Sequence, residues 1–160
     1  QSVLELGSGN GFLAVCLLAA HPKLQLLVAT DTAEHLPLIQ STIDANASLV
    51  LPSSSSQAQT ILVQEYLWGT GSLHQTFDLI IGSDVAYRDE LHDPLIRALM
   101  ECSHSNTIIL LGVTMNDTKP QFFSKLTQHG FAYERLADHC LDPSFRGTQF
   151  AIFVVQRRSP

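Results

Sequence analysis

Cysteine is scarce in this sequence, and its spacing excludes the usual cysteine-based sites. Cys16, Cys102 and Cys140 lie far apart and form no Cys-x-x-Cys pair or Cys/His cluster. This spacing argues against a structural zinc site, and we predict no bound metal. An odd number of isolated cysteines indicates reduced thiols, which we expect to be mostly buried. Reduced thiols point to a reducing compartment, and we expect the protein in the cytoplasm and also in the nucleus.

Basic charge and long apolar runs are also in short supply. Nine Lys and Arg residues stand against fifteen Asp and Glu residues, for a formal net charge of −6. This sign disfavours nucleic acid as a partner and better fits a basic protein surface or a cationic substrate. No apolar run reaches the ~18 residues of a membrane-spanning helix, so we expect no membrane association. No signal peptide is visible, and Gln1 is not a natural first residue, so we expect that an N-terminal segment is missing from the sequence.

The pattern of apolar segments predicts one α/β domain, residues 1–160, which we expect to be a monomer. Strand-like segments alternate with helical patterns, and two strands close the chain without a helix between them. We therefore predict a doubly wound, Rossmann-like sheet that is mostly parallel and has an antiparallel C-terminal hairpin strand. The predicted strands are residues 2–6, 24–30, 60–66, 77–84, 106–114, 131–136 and 148–158. The predicted helices are residues 11–20, about 33–48, about 89–103 and roughly 118–129.

Local signals mark the ends of several elements. The first helix is apolar on nearly all sides, which predicts a buried helix, and Pro22 ends it. Thr32 is a candidate cap for the second helix, and Gly130 for the end of the last one. The polar, low-complexity stretch 52–59 is predicted to be a loop.

The stretch LELGSGNGF, residues 4–12, places glycines at alternate positions after a strand. Dinucleotide-binding folds have the spacing GxGxxG, whereas here the third glycine comes one residue early. Glu5 also places negative charge where a diphosphate would lie. The pattern ExGxGxG resembles the S-adenosylmethionine loop of class I methyltransferases, whose ligand has no phosphate. Two alternatives remain open: a tight strand–helix turn with no ligand, and an electrostatic role for Glu5 at the helix N-terminus.

Two further signals lie at the predicted carboxyl edge of the sheet, where ligands bind in doubly wound folds. Asp31 ends the second strand, and its carboxylate can accept hydrogen bonds from both hydroxyls of a ribose. The same acid disfavours the 2′-phosphate of NADP. Leu67, Trp68 and Gly69 follow the third strand, and an aromatic or apolar wall at this place suits an adenine ring. The alternative for Trp68 is a packing role in the core or at its rim.

The stretch SDVAYRDE, residues 83–90, follows the fourth strand and contains Asp84 and Tyr87. If a helical turn follows the strand, these two side chains point the same way. A carboxylate and a phenol beside a sulfonium can hold an amine in line for attack. Methyltransferases that act on adenine or cytosine amino groups usually place a Pro-Pro-aromatic run here, and Val85 and Ala86 depart from that run. The alternatives are a helix N-cap for Asp84 and packing for Tyr87.

Together, ELGSGNG, Asp31, LWG and DVAY strongly resemble the seven-strand protein lysine methyltransferases of the methyltransferase-like group, over essentially the whole chain. Similar members modify valosin-containing chaperone ATPases and Hsp70-type chaperones, so the resemblance implies a protein substrate, such as a chaperone or an ATPase. It also implies that Asp31 holds the ribose, that Leu67 and Trp68 border the adenine, and that Asp84 lies between cofactor and substrate. Tyr87 would face the substrate amine. The residues implied to bind the loop side of S-adenosylmethionine are Glu5, Gly7, Ser8, Gly9 and Gly11.

The sequence departs from this family in one region and leaves rival functions open. Many relatives have a tyrosine–acid–arginine run after the fifth strand, where this chain has GVTMND and no aromatic residue. No general base is evident, although His74 and His92 flank the predicted site in sequence. The rivals are a small-molecule or nucleic-acid methyltransferase, a non-catalytic partner-binding module of the same fold, and an NAD-linked oxidoreductase.

Overall fold

A computed structural model describes residues 1–21, 23–50 and 59–158, and within them seven strands form one mixed sheet. The strands are β1 (Ser2–Leu6), β2 (Leu26–Asp31), β3 (Thr60–Glu65), β4 (Phe77–Ser83), β5 (Ser103–Thr114), β6 (Phe131–Arg135) and β7 (Phe150–Arg157). Each overlaps a predicted strand, because short apolar runs bounded by Gly, Asp or Pro are typical of buried strands in an α/β sheet. The polar loop predicted for 52–59 lies outside the described residues except for Gln59, and Pro22 lies outside them too.

The strand order is β3-β2-β1-β4-β5-β7-β6. Strands β1 to β5 pair in parallel, while β7 pairs antiparallel with both β5 and β6. The predicted mostly parallel sheet with an antiparallel C-terminal hairpin strand is therefore confirmed. The order reverses between β1 and β4, which lie side by side, and ligands of doubly wound sheets bind beyond the carboxyl ends of the strands at such a point.

Helices cover the two faces of the sheet and divide the core in two. Helices α1 (Phe12–Ala20), α2 (Leu36–Ala45) and α3 (Ala47–Val50) lie on the side of β1 to β3, and the buried Ile39 and Ile43 of α2 face the sheet. Helices α4 (Asp89–Cys102) and α5 (Pro120–Gln128) cover the opposite face. Gly130, at φ = 83°, follows α5 as predicted, and its N–H donates to the Thr127 carbonyl.

The expectation that the first helix is buried on nearly all sides is wrong. Only Ala14, Val15 and Leu18 of α1 are buried, whereas the Phe12 side chain is 65% exposed and Cys16 is exposed. A helix packed on one face of a sheet has only one side to bury, whatever its composition. The expectation of mostly buried thiols is wrong as well. Cys16 lies on the exposed side of α1 and Cys140 is also exposed, so only Cys102 of the three is buried.

Neither Thr32, the candidate cap of the second helix, nor Asp84, for which a cap was the alternative to a site role, caps a helix. Helix α2 begins at Leu36 with His35 as its N-cap, and the Thr32 hydroxyl bonds the His35 ring instead of a backbone N–H in the helix. Helix α4 begins at Asp89 with Arg88 as its N-cap. Asp84 is therefore not a helix cap, which removes the structural alternative for this residue.

Candidate active site

A cavity of about 540 Å³ opens beyond the carboxyl ends of β1 to β4. It brings together six of the residues that the sequence predicts for the site: Gly7, Asp31, Leu67, Trp68, Asp84 and Tyr87. The remaining lining residues had no predicted role in the site and are Thr32, Glu34, His35, Tyr66, Ser83, Val85, Arg88, Leu91 and Pro94. The lining contains three carboxylates, on Asp31, Glu34 and Asp84. It contains one guanidinium group, on Arg88, so its charge is predominantly negative.

The glycine loop borders this cavity with its first glycine and packs against a helix with its last. Gly7 has φ = 67°, and a Cβ on it would lie 2.9 Å from Val85 Cγ1 and 3.4 Å from Trp68 Cζ2. A Cβ on Gly11 would instead lie 3.1 Å from the backbone of Ile39 in α2. Gly11 therefore allows the close approach of α2, and it does not line the cavity. Its predicted contact with a cofactor, like that of Gly9, stays a prediction.

Glu5 and Ser8 are buried polar side chains beneath the glycine loop, exposed by only 2% and 6%. Neither Glu5 Oε2 nor Ser8 Oγ has a hydrogen-bond partner in the described part of the chain. Burial raises the pKa of Glu5 to about 7, because the charged form loses its hydration. Buried polar atoms without partners are rare in native proteins, but neither residue lines the cavity, so the predicted contact of Glu5 and Ser8 with a cofactor stays a prediction.

Asp31 is held at the end of β2 by its neighbours. Its Oδ2 accepts the Gly9 N–H at 2.8 Å, and its Oδ1 accepts the Thr32 N–H at 2.8 Å. His35 Nδ1 lies 3.2 Å from Oδ1. Each carboxylate oxygen has two lone pairs, so Oδ2, which has one donor, can still accept a bond from a ligand hydroxyl. His35 was not predicted as a site residue, although its position four residues after Asp31 in the sequence could have indicated that the two side chains are close.

The segment after β3 forms the opposite wall. Leu67 is 52% exposed, and the partly buried Trp68 packs against the core beneath α4. Below them the buried Tyr66 hydroxyl donates to Glu101 Oε2 at 2.8 Å, and the Gly71 N–H donates to the same oxygen at 2.8 Å. Burial raises the pKa of Tyr66 well above its usual range, so the phenol stays a neutral donor. Glu101 in α4 therefore holds this turn in place through hydrogen bonds at Tyr66 and Gly71.

Asp84 and Tyr87 lie on the remaining side, in a segment without a helical turn. Asp84 has φ = 58°, which is uncommon for a residue with a side chain, and its N–H donates to the Gly112 carbonyl at 2.8 Å. Val85 and Ala86 are buried, whereas Tyr87 is 47% exposed. The irregular backbone therefore presents Asp84 and Tyr87 to one cavity while the residues between them anchor the segment.

The two flanking histidines differ. His92 in α4 is 2% exposed, and its Nε2 lies 3.2 Å from the Ala86 carbonyl oxygen. Because a carbonyl only accepts, Nε2 must carry the proton in this pair. His74 is an exposed residue that lines a separate cavity of about 520 Å³ with Glu101 and Cys102. Neither histidine lines the cavity beyond β1 to β4, so neither is placed as a general base.

The lining fits a zwitterionic, phosphate-free cofactor better than a dinucleotide. The carboxylates of Asp31, Glu34 and Asp84 in the lining oppose a diphosphate and tolerate a sulfonium. Within residues 1–21, 23–50 and 59–158, no group of three or more His, Cys, Asp or Glu side chains is placed to hold a metal ion. None of the helices in that part of the chain is long and apolar enough to cross a membrane.

Known proteins are similar to this chain in fold or in sequence. A TehB-like SAM-dependent methyltransferase from Corynebacterium glutamicum superimposes with a TM-score of 0.70 at 13% identity, over 98% of this chain and 80% of its own. The mouse (Mus musculus) protein N-lysine methyltransferase METTL21A is 27% identical over 138 residues, which are 84% of this chain and 59% of the relative. The EEF1A lysine methyltransferase 3 of Xenopus tropicalis is 29% identical over 136 residues, or 78% of this chain and 56% of the relative. The chain thus spans somewhat more than half the length of these two relatives.

Family membership rests on most of the chain. Residues 1–129, from β1 to the end of α5, match the family described as lysine methyltransferase. The matched region contains the glycine loop, Asp31, the Trp68 turn and the Asp84–Tyr87 segment, and the predicted resemblance to protein lysine methyltransferases is thereby confirmed. The chain belongs to the lysine methyltransferase family.

Proposed function

We propose that the protein transfers a methyl group from S-adenosylmethionine to the side-chain amine of a lysine in another protein. The observation that carries this proposal is that Asp84 and Tyr87 line the same cavity as Gly7 and Asp31. One cavity therefore offers a carboxylate and a phenol for an amine next to the loop and acid expected to hold the donor. The family's name supports lysine as the acceptor.

S-adenosylmethionine is the cofactor that the family and the fold imply, and the lining fits it. When bound, it supplies a methyl group on a sulfonium that a nucleophile can attack. Asp31 accepts hydrogen bonds from the ribose hydroxyls, and Glu5 with Ser8 receives the charged amine of the methionine arm. Leu67 and Trp68 border the adenine. Asp31, Leu67 and Trp68 line the cavity, whereas Glu5 and Ser8 do not, and all of these assignments stay predictions.

Asp84 and Tyr87 act on the lysine. A protonated ammonium has no lone pair, so the lysine must lose a proton to water before it attacks. Asp84 draws the cationic amine in and partly opposes its deprotonation, whereas removal of the amine from water beside a bound sulfonium would lower the pKa of the lysine. Alignment of amine and methyl by Asp84 and Tyr87 accounts for much of the rate, since positioning supplies up to ~7–11 kcal/mol in favourable reactions.

We propose a protein substrate that presents a lysine on a basic surface. A net charge of −6 and the acidic lining of the cavity favour a cationic partner over nucleic acid. A chaperone or an ATPase is the substrate class that we propose, with EEF1A as a further candidate from the name of a relative. We also propose that the enzyme acts as a monomer.

We propose the cytoplasm and the nucleus as its location. The cysteines Cys16, Cys102 and Cys140 are all free thiols, and two of them are exposed, which suits a reducing compartment. Imaging of the tagged full-length protein tests this proposal, and a secreted or vesicular signal contradicts it.

The decisive experiment incubates the full-length protein with S-adenosylmethionine labelled in its methyl group, cell extract and purified EEF1A. We expect label on a protein band, at a lysine identified by mass spectrometry. Asp84→Ala and Tyr87→Phe should each remove most of the label. Asp44→Ala and Tyr133→Phe change an exposed residue of the same type outside the cavity and should leave it intact.

Other outcomes separate the rival functions. Label in RNA or in a small molecule overturns the protein substrate. Calorimetry that finds saturable binding of NAD and none of S-adenosylmethionine overturns the methyltransferase. Binding of S-adenosylmethionine without label on any acceptor, in extracts that contain the protein's natural partners, indicates a non-catalytic module.

A further inference from the structure

The guanidinium of Arg88 lies against the ring of Tyr87 in the cavity that contains Asp84. Its Cζ atom is 5.4 Å from the centroid of the Tyr87 ring, and all three side chains line that cavity. A guanidinium over an aromatic face is held there by cation–π attraction and by stacking. Arg88 therefore accompanies the phenol that we place at the substrate amine.

Arg88 is exposed and is only weakly bound within the protein. Its side chain is 62% exposed, and its Nη1 atom lies 4.0 Å from Oε1 of Glu90, which is 70% exposed. An exposed pair at this distance contributes little, because water screens both charges and the atoms are too far apart for a hydrogen bond. The guanidinium forms no hydrogen bond to an acceptor in the described part of the chain, so its N–H groups are available to a partner.

Two neighbouring carboxylates of α4 are occupied by other cations. Asp89 Oδ2 accepts a hydrogen bond from Lys119 Nζ at 2.6 Å, and Asp93 Oδ1 accepts one from Lys125 Nζ at 2.7 Å. These hydrogen bonds lower the pKa of Asp89 and of Asp93, so both stay ionised and paired with their lysines. Neither acid neutralises Arg88, whose guanidinium can instead bind a carboxylate of another molecule.

The charge of Arg88 is opposite to that of the other ionised groups in the lining. Asp31, Glu34 and Asp84 attract a cation such as the substrate lysine, whereas Arg88 repels one. A lysine that enters beside Arg88 is therefore favoured when an acid stands next to it. The planar guanidinium can donate two parallel hydrogen bonds to such a carboxylate, a geometry that an ammonium group does not offer.

The exposure of Arg88 suits a contact with residues that flank the target lysine. The long side chain of a lysine can place its amine inside the cavity while its backbone and its neighbours stay outside. Neighbouring residues of an extended peptide are at most about 3.6 Å apart, so an acid one or two positions away stays within about 7 Å along the peptide. The exposed part of Arg88 is accessible to such an acid.

We propose that Arg88 binds an Asp or Glu side chain of the protein substrate that stands one or two residues from the target lysine. Arg88 is then a specificity-determining residue, because it selects a lysine by its neighbours. The proposal rests on the proposed methyl transfer to a protein lysine and defines that substrate further. The substrate surface is basic as a whole and has an acid beside the lysine.

The first test uses the lysine that the labelling experiment identifies in EEF1A or in an extract protein. We expect an Asp or Glu within two residues of the lysine that the wild-type, full-length protein labels. A labelled lysine with no acid in that window overturns the proposal.

The second test compares variants on the purified, labelled protein. Arg88→Ala should raise KM about fivefold and leave kcat within about twofold, because an exposed charge pair contributes to substrate binding and not to the methyl transfer itself. Arg88→Lys retains the charge without the planar fork and should have an intermediate KM. Arg135→Ala removes the same charge from an exposed residue outside the cavity and should change neither constant.

The third test exchanges the two charges. Arg88→Glu should methylate the natural substrate more slowly than Arg88→Ala does, because it repels the flanking acid. Replacing that acid by Lys in the substrate should restore much of the activity of Arg88→Glu and lower that of the wild type. A purely structural role of Arg88, such as packing on Tyr87, gives no such reversal, so its absence overturns the proposal.

The affinity for S-adenosylhomocysteine distinguishes the remaining outcomes. It should be the same for the wild type and Arg88→Ala. If Arg88→Ala weakens this affinity as much as it raises KM, Arg88 binds the cofactor, and the proposal is overturned while the methyltransferase stands. If the wild-type protein labels no protein lysine, the proposed function fails and the role of Arg88 fails with it.

Discussion

Val85 Cγ1 occupies the space next to Gly7, at 2.9 Å from where a Cβ on Gly7 would be. The other methyl of Val85, Cγ2, stands equally close to the Cβ position of Gly82, so the side chain fits between two glycines. The glycine loop after β1 and the Asp84–Tyr87 segment after β4 therefore contact each other through one valine. Disturbing either segment should displace the other.

We predict that Gly7→Ala destabilises the protein by about 2 to 4 kcal/mol. A side chain at a left-handed φ costs about 1–2 kcal/mol, and overpacking against Val85 adds a similar amount. Chemical denaturation measures the change. Gly147→Ala is the control, because Gly147 has the same φ of 67° but nothing within 4 Å of its Cβ position.

Val85→Ala should relieve part of this effect. The double variant Gly7→Ala/Val85→Ala should lose about 1 kcal/mol less stability than the two single variants lose together. Additive changes, or equal effects of Gly7→Ala and Gly147→Ala, would show that Val85 does not restrict Gly7.

We predict that Glu5 makes the protein less stable as the pH rises from 4.5 to 7. Its pKa is raised from 4.5 to about 7 by burial, so the folded state binds the proton more tightly than the unfolded state. The stabilising contribution is complete below pH 4.5 and is lost as the pH passes through 7. Its size is on the order of 3 kcal/mol. Glu5→Gln should remove this slope from the pH dependence of unfolding, whereas Glu90→Gln at an exposed position should retain it.

Binding of S-adenosylhomocysteine at pH 7 should release a proton from Glu5. The ammonium of its amino acid arm favours the charged carboxylate and lowers the pKa of Glu5 in the complex. Calorimetry in two buffers with different heats of ionisation measures the release. Equal release from the wild type and Glu5→Gln would place the ammonium elsewhere.

We predict that His92 positions the Asp84–Tyr87 segment. His92→Leu leaves the buried Ala86 carbonyl without its donor, which costs about 1–3 kcal/mol of stability. The rate of methyl transfer should fall, while the affinity for S-adenosylhomocysteine stays near the wild-type value. His92→Gln retains an N–H donor and should recover part of the rate. If Gln and Leu variants of equal stability have equal rates, the hydrogen bond has no positioning role.

We predict that the bond between Tyr66 and Glu101 holds the adenine side of the cavity. Tyr66→Phe removes the hydroxyl with little change in shape and should lower stability by about 1 kcal/mol. It should also weaken binding of S-adenosylhomocysteine severalfold, because Leu67 and Trp68 follow directly. Tyr133→Phe is the matched control. If Tyr66→Phe lowers stability but leaves the affinity for S-adenosylhomocysteine unchanged, the bond between Tyr66 and Glu101 has no role in ligand binding.

Much of the fold and the site could be predicted because the determining signals are local. Apolar runs such as SVLEL and FDLIIGS identify strands, and carboxyl ends of neighbouring parallel strands meet at one edge. Gly7, Asp31, Trp68 and Asp84 each lie at or just after the end of a strand. The positions of the strands in the sequence are therefore enough to predict that these residues come together. The burial of α1 was mispredicted because composition does not tell which side of a helix meets the sheet.

The sequence by itself determined the succession of strands and helices along the chain and the motifs at the ends of β1 to β4. These features depend on residues that are close together along the chain. Only the tertiary structure decided which atoms meet across the core: His92 with the Ala86 carbonyl, Glu101 with Tyr66, and Val85 with Gly7. These contacts join distant segments, and packing geometry rather than local preference determines them.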